Sequence, residues 1–369
     1  MRIESVELRR IRLPLVAPFR TSLGTERERD VLLVRVLGPD GEGWGECVAF
    51  GEPFYSYEYV DGAHDVIRRH LLPRLFARGD IAAEEVAPAL AGVRGHPMAK
   101  GAVEMAVLDA ELRAQGRSFG EFLGATRAEV DCGVSVGIHD AVSDLLRTVE
   151  GYLDDGYRRI KLKIEPGHDV EPVRAVRGEF GDILFQVDAN AAYTLADAPQ
   201  LARLDEFELL LVEQPLPEED LRGHAKLAER IATPICLDES ITSARAAEDA
   251  IAMGACRIVN VKAGRVGGYL EARRVHDVCA ANDVPVWCGG MLETGLGRAA
   301  NVALAALPNF TLPGDTSASG RYYAEDICEP FVLRDGRLAV PTGPGLGVSP
   351  DLDGLRRVTT SVETCRRDA

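Results

Sequence analysis

The sequence has no Cys-x-x-Cys pair, no cluster of basic residues, and no apolar run near the roughly 18 residues that a membrane helix needs. Each absence removes a class of function. The eight cysteines (Cys47, Cys132, Cys236, Cys256, Cys279, Cys288, Cys328, Cys365) lack zinc-like spacing and read as reduced core thiols. With no histidine arranged to activate Cys236 or Cys288, neither is assigned a nucleophilic role. A formal net charge of −16, from 42 basic and 58 acidic residues, argues against nucleic acid or an anionic membrane as partner. The opening residues, Met1-Arg-Ile-Glu-Ser-Val-Glu-Leu-Arg-Arg10, carry acids and no apolar core, so no signal peptide is expected. These points suit a soluble, cytoplasmic protein acting on a small molecule. At 369 residues the chain can bury one large domain and a smaller one.

What the sequence does have is a regular beat. Lys163, Asp188, Glu213, Asp238 and Lys262 follow one another at intervals of 25, 25, 25 and 24 residues. Each stands at the end of a short apolar run: 160–163, 183–188, 209–213, 234–238 and 257–262. Such runs suit strands buried on both faces, and helical patterns over 198–207, 218–231, 244–253 and 270–282 separate them. This is a parallel α/β repeat. Cys132-Gly-Val-Ser-Val-Gly137 adds a strand before Lys163, 284–290 adds a seventh and 309–315 an eighth, enough to close a barrel. An open doubly wound sheet is the rival, but it usually carries a glycine-rich phosphate turn after its first strand, and none is present. Gly264-Arg-Val-Gly-Gly268 fits no phosphate motif and reads as a turn that positions Lys262.

Before the barrel, strands are expected over 2–13 and 31–37, with Asp40-Gly41 turning into Gly43-Trp-Gly-Glu46, and helices over 57–76, 82–90 and 98–113. That opening predicts an α+β domain over 1–125, with 326–369 returning to it and the barrel over 126–325. Two long aromatic and Gly/Pro-rich segments, 17–25 and 49–57, read equally as surface loops or as lids over a ligand. Phe19, Arg20, Ser22, Phe50 and Tyr55 are their candidates for substrate contact, Arg20 for a carboxylate.

Strand ends of such a barrel share one mouth. Any one charge there could be solvated; five in series need a reason. Asp188, Glu213 and Asp238 on neighbouring strands make an all-oxygen site suited to Mg²⁺, or Mn²⁺, rather than zinc. Asn190 and Glu239 are placed to orient those ligands. Strands two and six of eight lie about 180° apart, so Lys163 and Lys262 should face one ligand from opposite sides. Lys161, on the same strand face, is expected to lower the pKa of Lys163 from about 10.4. A metal-bound carboxylate would then lose its α-proton to a lysine as an enediolate forms. Schiff-base chemistry is the rival for a barrel lysine, but it needs no three carboxylates. Ser135, Gly290, Met291 and Glu293 fall at the same face on strands one and seven as candidate substrate contacts. None of the seven histidines (His64, His70, His96, His139, His168, His224, His276) falls on the beat.

These residues resemble the enolase superfamily, in its muconate-lactonizing-enzyme subgroup. Lys161-Leu-Lys163, Val187-Asp188-Ala-Asn190, Val212-Glu213-Gln-Pro215, Leu237-Asp238-Glu239-Ser240 and Val261-Lys262 carry the resemblance, and the stretch 287–293 lacks the strand-seven histidine of the mandelate-racemase type. Segments 15–22, 43–47, 133–137 and 314–319 are similar to o-succinylbenzoate synthases that are also N-acylamino acid racemases. The resemblance implies a modified (β/α)7β barrel with a capping domain and a homo-oligomer. It also implies Mg²⁺ on Asp188, Glu213 and Asp238, and Lys163 and Lys262 as acid and base. Racemisation would use both lysines; in the syn dehydration that gives 2-succinylbenzoate for menaquinone, Lys163 would be base then acid and Lys262 a stabilising cation. Dipeptide epimerase, muconate cycloisomerase and a non-catalytic metal-dependent binding protein are the alternatives. Ala263 replaces the proline that often follows the strand-six lysine of the family, and only a minor loop difference is expected from it.

Overall fold

The computed structural model describes residues 1–367. Three antiparallel strands open the chain: β1 (Ser5–Thr21), β2 (Gly24–Gly38) and β3 (Gly41–Cys47). Alternation of Val6, Leu8, Ile11 and Leu13 buries one face of β1. Segment 17–25, expected as a loop, is instead the end of the β1–β2 hairpin. Pairing continues past an irregularity between Pro14 and Phe19 to Thr21 opposite Gly24. Backbone pairing there outlasts the apolar alternation because the two-residue turn, Ser22-Leu23, preserves the register.

The helix Pro97–Gln115 lies across this sheet and is buried on nearly all sides. Gly43 and Gly45 of β3 let it come close: a Cβ at either position would run into the carbonyl oxygen of Ala106 or Ala102. On its other flank Gly101 approaches the backbone of Gly264 and Gly268. The helix is therefore wedged between the capping sheet and the turn that follows Lys262. The expected helix over 57–76 begins at Val60 and is interrupted by a π turn at Ile67–Leu71, because Pro73 has no N–H to give the preceding turn. The expected helix over 198–207 is one α-helical turn, Ala198–Leu201, with Pro199 in its first turn, flanked by 3₁₀ turns.

A short strand, β4 (Glu129–Asp131), leads into seven parallel strands hydrogen-bonded in chain order: β5 (Gly133–Val136), β6 (Arg159–Lys163), β7 (Leu184–Asp188), β8 (Val212–Glu213), β9 (Ile235–Leu237), β10 (Ile258–Val261) and β11 (Val286–Cys288). The segment 309–315 closes the ring without forming a full strand. Phe310 bridges Val286, and Gly314 bridges Cys132. Asp315 then donates its N–H to the Cys288 carbonyl at 2.8 Å. Hence the barrel is curled around seven strands and an irregular eighth stave. In the tail, β12 (Arg337–Ala339) pairs with β4, and β13 (Thr359–Arg366) returns to pair with β1. No helix among the described residues is long and apolar enough to cross a membrane. Seven cysteines are buried, Cys365 is partly exposed, and none is bonded to another.

Replacing Gly45 by alanine forces a methyl group into the backbone of the helix Pro97–Gln115. Chemical denaturation should report a loss of about 3 kcal/mol; an unchanged midpoint would contradict this packing.

Candidate active site

Inward positions of β6 alternate as Arg159, Lys161 and Lys163, while Ile160 and Leu162 face outward. Pairing sets Lys163 beside Asp188 and Asp188 beside Glu213. The chain turns away immediately after these strands. Gln214 has φ 36°, and its side-chain oxygen accepts from the N–H of Asp238 (3.0 Å) and Ser240 (3.2 Å), tying the end of β8 to that of β9.

Every acid of the beat meets a cation. Lys163 Nζ is 2.6 Å from Asp188 Oδ2 and 2.7 Å from Asn190 Oδ1. Lys262 Nζ is 2.8 Å from Asp238 Oδ2, and Arg265 pairs with Asp238 Oδ1. Lys161 Nζ reaches Asp315 Oδ2 at 2.7 Å, Glu213 Oε2 at 3.0 Å and Asp188 Oδ2 at 3.3 Å. Glu213 Oε1 accepts from Asn260 Nδ2 at 2.6 Å, and Asn190 Nδ2 donates to Glu239 Oε1 at 2.9 Å. All of these side chains are buried except that of Lys163, which is partly buried.

Burial would raise all four acids; their partners sort them. Asp188 is nevertheless held at about 2 by Lys163 and Lys161, and Asp238 lower still by Arg265 and Lys262. Glu213 stays well above the usual range because burial and the adjacent Asp188 outweigh Lys161. Burial and Asp238 push Glu239 up to about 7. For Lys161, burial is overcome by Asp315, Glu213 and Asp188, which hold it protonated. The like charge beside Lys163 is thus met by carboxylates of its own, a compensation that the Lys-x-Lys spacing could not reveal.

Could these acids hold a metal? Three buried carboxylates on adjacent strands, crowding one another's charge, supply the hard oxygen donors of a divalent cation. As they stand, each is drawn to a lysine, and among the described residues no three acidic, histidine or cysteine side chains are arranged as a metal cluster. The donor chemistry fits; the ammonium groups now supply the counter-charge.

Lys161, Lys163 and Lys262 open onto a cavity of about 60 Å³. Phe19, Phe50, Tyr55, Ser135, Gly290 and Met291, all expected at the site, line it. Gly289 leaves room for the Lys262 side chain, since a Cβ there would meet Lys262 Cε and the Asn260 amide. The Tyr55 hydroxyl oxygen accepts from Lys262 Nζ and Arg265 Nη1, both at 2.9 Å. Three expected residues point elsewhere. Arg20 spans the mouth to Asp140 (2.6 Å) and Glu165 (3.1 Å), Ser22 Oγ donates to the Ala189 carbonyl (3.1 Å), and Glu293 accepts from Met291 N and Asn301 Nδ2, both at 2.9 Å. They fasten the hairpin and the post-β11 turn instead of facing the cavity.

Five further residues belong to the site although the strand-end pattern does not select them: Asp315, Arg159, Asn260, Arg265 and Tyr322. Asp315 carried a signal, as the charge after the eighth stave. Arg265 sat in a glycine-rich turn whose direction the sequence does not give. Trp287, beneath the site with Lys161 Nζ 4.7 Å from its ring centroid, gave none.

Known proteins share this arrangement of domains. Residues 4–124 match the mandelate racemase / muconate lactonizing enzyme N-terminal domain, and 144–354 match the enolase C-terminal domain-like family. The chain is 69% identical over 362 residues to an N-succinylamino acid racemase of an Amycolatopsis species, covering 98% of both chains. It is 47% identical over 369 residues to an o-succinylbenzoate synthase of Geobacillus kaustophilus, covering 100% of this chain and 98% of the relative. A solved enolase-superfamily member from Listeria innocua superposes with a TM-score of 0.96 at 42% identity, covering 100% of both chains.

Removing the Lys161 ammonium while keeping its bulk, in Lys161→Met, leaves Glu213 and Asp315 short of a buried counter-charge. Denaturation in the presence of chelator should show a loss of about 3–5 kcal/mol; a change under 1 kcal/mol would mean that the network is not held by this lysine.

Proposed function

The chain belongs to the mandelate racemase / muconate lactonizing enzyme family of the enolase superfamily, and from that premise we propose that it forms 2-succinylbenzoate by syn dehydration, racemises N-succinyl or other N-acyl amino acids, or does both. The observation that carries the proposal is the pair Lys163 and Lys262, two amines from β6 and the end of β10 on the walls of one cavity. Relatives named for each reaction match the chain over nearly its whole length.

The chemistry common to both is removal of a proton from the carbon next to a carboxylate. A neutral lysine amine on one side takes that proton, and the electron pair left on carbon spreads into the carboxylate as an enediolate. In racemisation the lysine opposite returns a proton to the other face. In the dehydration Lys163 takes the α-proton and then protonates the departing hydroxyl on the same face, while Lys262 remains a cation beside the developing charge. Asn190 and Glu239 fix the direction of the Lys163 amine, and Tyr55 that of Lys262. Asp188, Glu213 and Asp238 would hold Mg²⁺, with Mn²⁺ as its substitute, and that charge would stabilise the substrate carboxylate as the proton leaves. Phe19, Phe50 and Met291 exclude water from the reacting carbon.

The catalytic unit is taken as 126–325, with 1–125 and the returning 326–369 as the cap; the pairing of β13 with β1 supports this division. Dipeptide epimerisation and muconate cycloisomerisation are second to this reading, because the relatives named for such reactions, or solved with such names, are 25–29% identical.

Lys163→Ala should lower kcat for dehydration and for racemisation by at least about 10³-fold, and full turnover in this variant would sink the assignment. Treatment with EDTA should abolish activity and Mg²⁺ should restore it; undiminished turnover by metal-stripped protein would remove the carboxylates from the mechanism. In D₂O an N-succinyl amino acid should gain deuterium at its α-carbon if the racemase reading holds, measured by NMR.

A further inference from the structure

Two buried arginines of the barrel are neutralised. Arg159 is paired with Asp315 and Arg265 with Asp238. Two others, the buried Arg298 and the half-buried Arg321, stand behind residues of the cavity wall and are not. Arg298, 2% exposed, gives its terminal nitrogens to the carbonyls of Ser317 and Glu293, and its Nε has no partner. Arg321 donates to the Ser135 carbonyl at 2.8 Å, and its Nε is likewise buried without a partner. Among the described residues neither forms an ion pair with a carboxylate.

Both guanidinium groups flank one ring. Arg298 Cζ lies 5.7 Å and Arg321 Cζ 4.8 Å from the centroid of Tyr322, and Arg321 is also 5.6 Å from that of Phe19. Phe19, Ser135 and Tyr322 all line the cavity. The acids in the neighbourhood are occupied elsewhere. Glu46 caps the helix Gly295–Ala305 through Thr294 and Gly297, and Asp326 accepts from Ser319, Gly295 and Ile327. At the other end of the cavity Arg29 stacks on Phe50 at 4.2 Å, also without an ion pair, but Glu26 lies near enough to feel its charge. The surplus of positive charge therefore lies at the Tyr322 end.

A buried charge left without a carboxylate is costly unless something that binds supplies one. Aromatic walls carry its field into the cavity with little screening. We infer that Arg321 and Arg298 are specificity-determining positioning residues, which act across Tyr322 and Phe19 to select a substrate with a second negative charge on the arm away from its α-carboxylate. This rests on the reading of the chain as acting on carboxylate substrates. It assigns the discrimination between dianionic and monoanionic acyl compounds to two residues that do not touch the reacting atoms.

The test compares an N-succinyl amino acid with its succinamide isostere, in which an amide replaces the distal carboxylate, in the Mg²⁺-loaded enzyme. Arg321 is the residue to change because Arg298 is too deeply buried to remove safely. Wild type should favour the carboxylate by about tenfold or more in kcat/KM. Arg321→Met should reduce that preference about tenfold, chiefly through KM for the carboxylate, and Arg321→Lys should restore much of it. Equal use of the two compounds by wild type, or an equal loss for both in Arg321→Met, would overturn the inference. Dissociation constants for the same pair, measured by calorimetry, separate the two levels of the account. A preference in binding without turnover contradicts the proposed reaction and keeps the selectivity, whereas turnover without preference does the reverse.

Discussion

Much of this molecule depends on one arrangement, the burial of Asp188, Glu213, Asp238 and Asp315 among Lys161, Lys163, Lys262, Arg159 and Arg265 at the mouth of the barrel. Burial of any of these charges alone would be prohibitive. Sharing makes it tolerable: Lys161 alone serves three carboxylates. The network also leaves the site poised, since the acids that could hold a metal are the same ones that now engage Lys161, Lys163 and Lys262.

The cap is joined to this site through close backbone approaches more than through long side chains. Gly43 and Gly45 seat the helix Pro97–Gln115, and Gly101 brings it against the turn following Lys262. Glu46 of β3 reaches the first turn of the helix after β11. The β1–β2 hairpin then covers the mouth, held by Arg20 on Asp140 and Glu165 and by Ser22 on Ala189. Residues of the cap, Phe19, Phe50 and Tyr55 among them, thereby become walls of a cavity whose floor belongs to the barrel.

The barrel was legible because its period is imposed by geometry: each strand-and-helix unit takes about the same length of chain, so strand-end charges recur near 25 residues. The same logic identified which residues meet at the mouth. Where side chains turn was less legible. Arg20 looked like a substrate contact because exposed arginine and substrate-bound arginine are written alike; its partners, Asp140 and Glu165, lie more than a hundred residues away. Segment 17–25 looked like a loop because strand pairing at its end is carried by backbone, which leaves no apolar signature. Tyr322 and Arg321 belong to a segment with no periodicity, so only the folded chain shows that they border the site.

The central claim is that Lys163 and Lys262 address the same carbon from opposite sides. A crystal structure with Mg²⁺ and an N-succinyl amino acid bound measures this most directly. The account predicts both Nζ atoms within about 3.5 Å of the α-carbon, one on each face. Two amines on the same face, or either lysine still paired with its carboxylate and turned from the substrate, would contradict it.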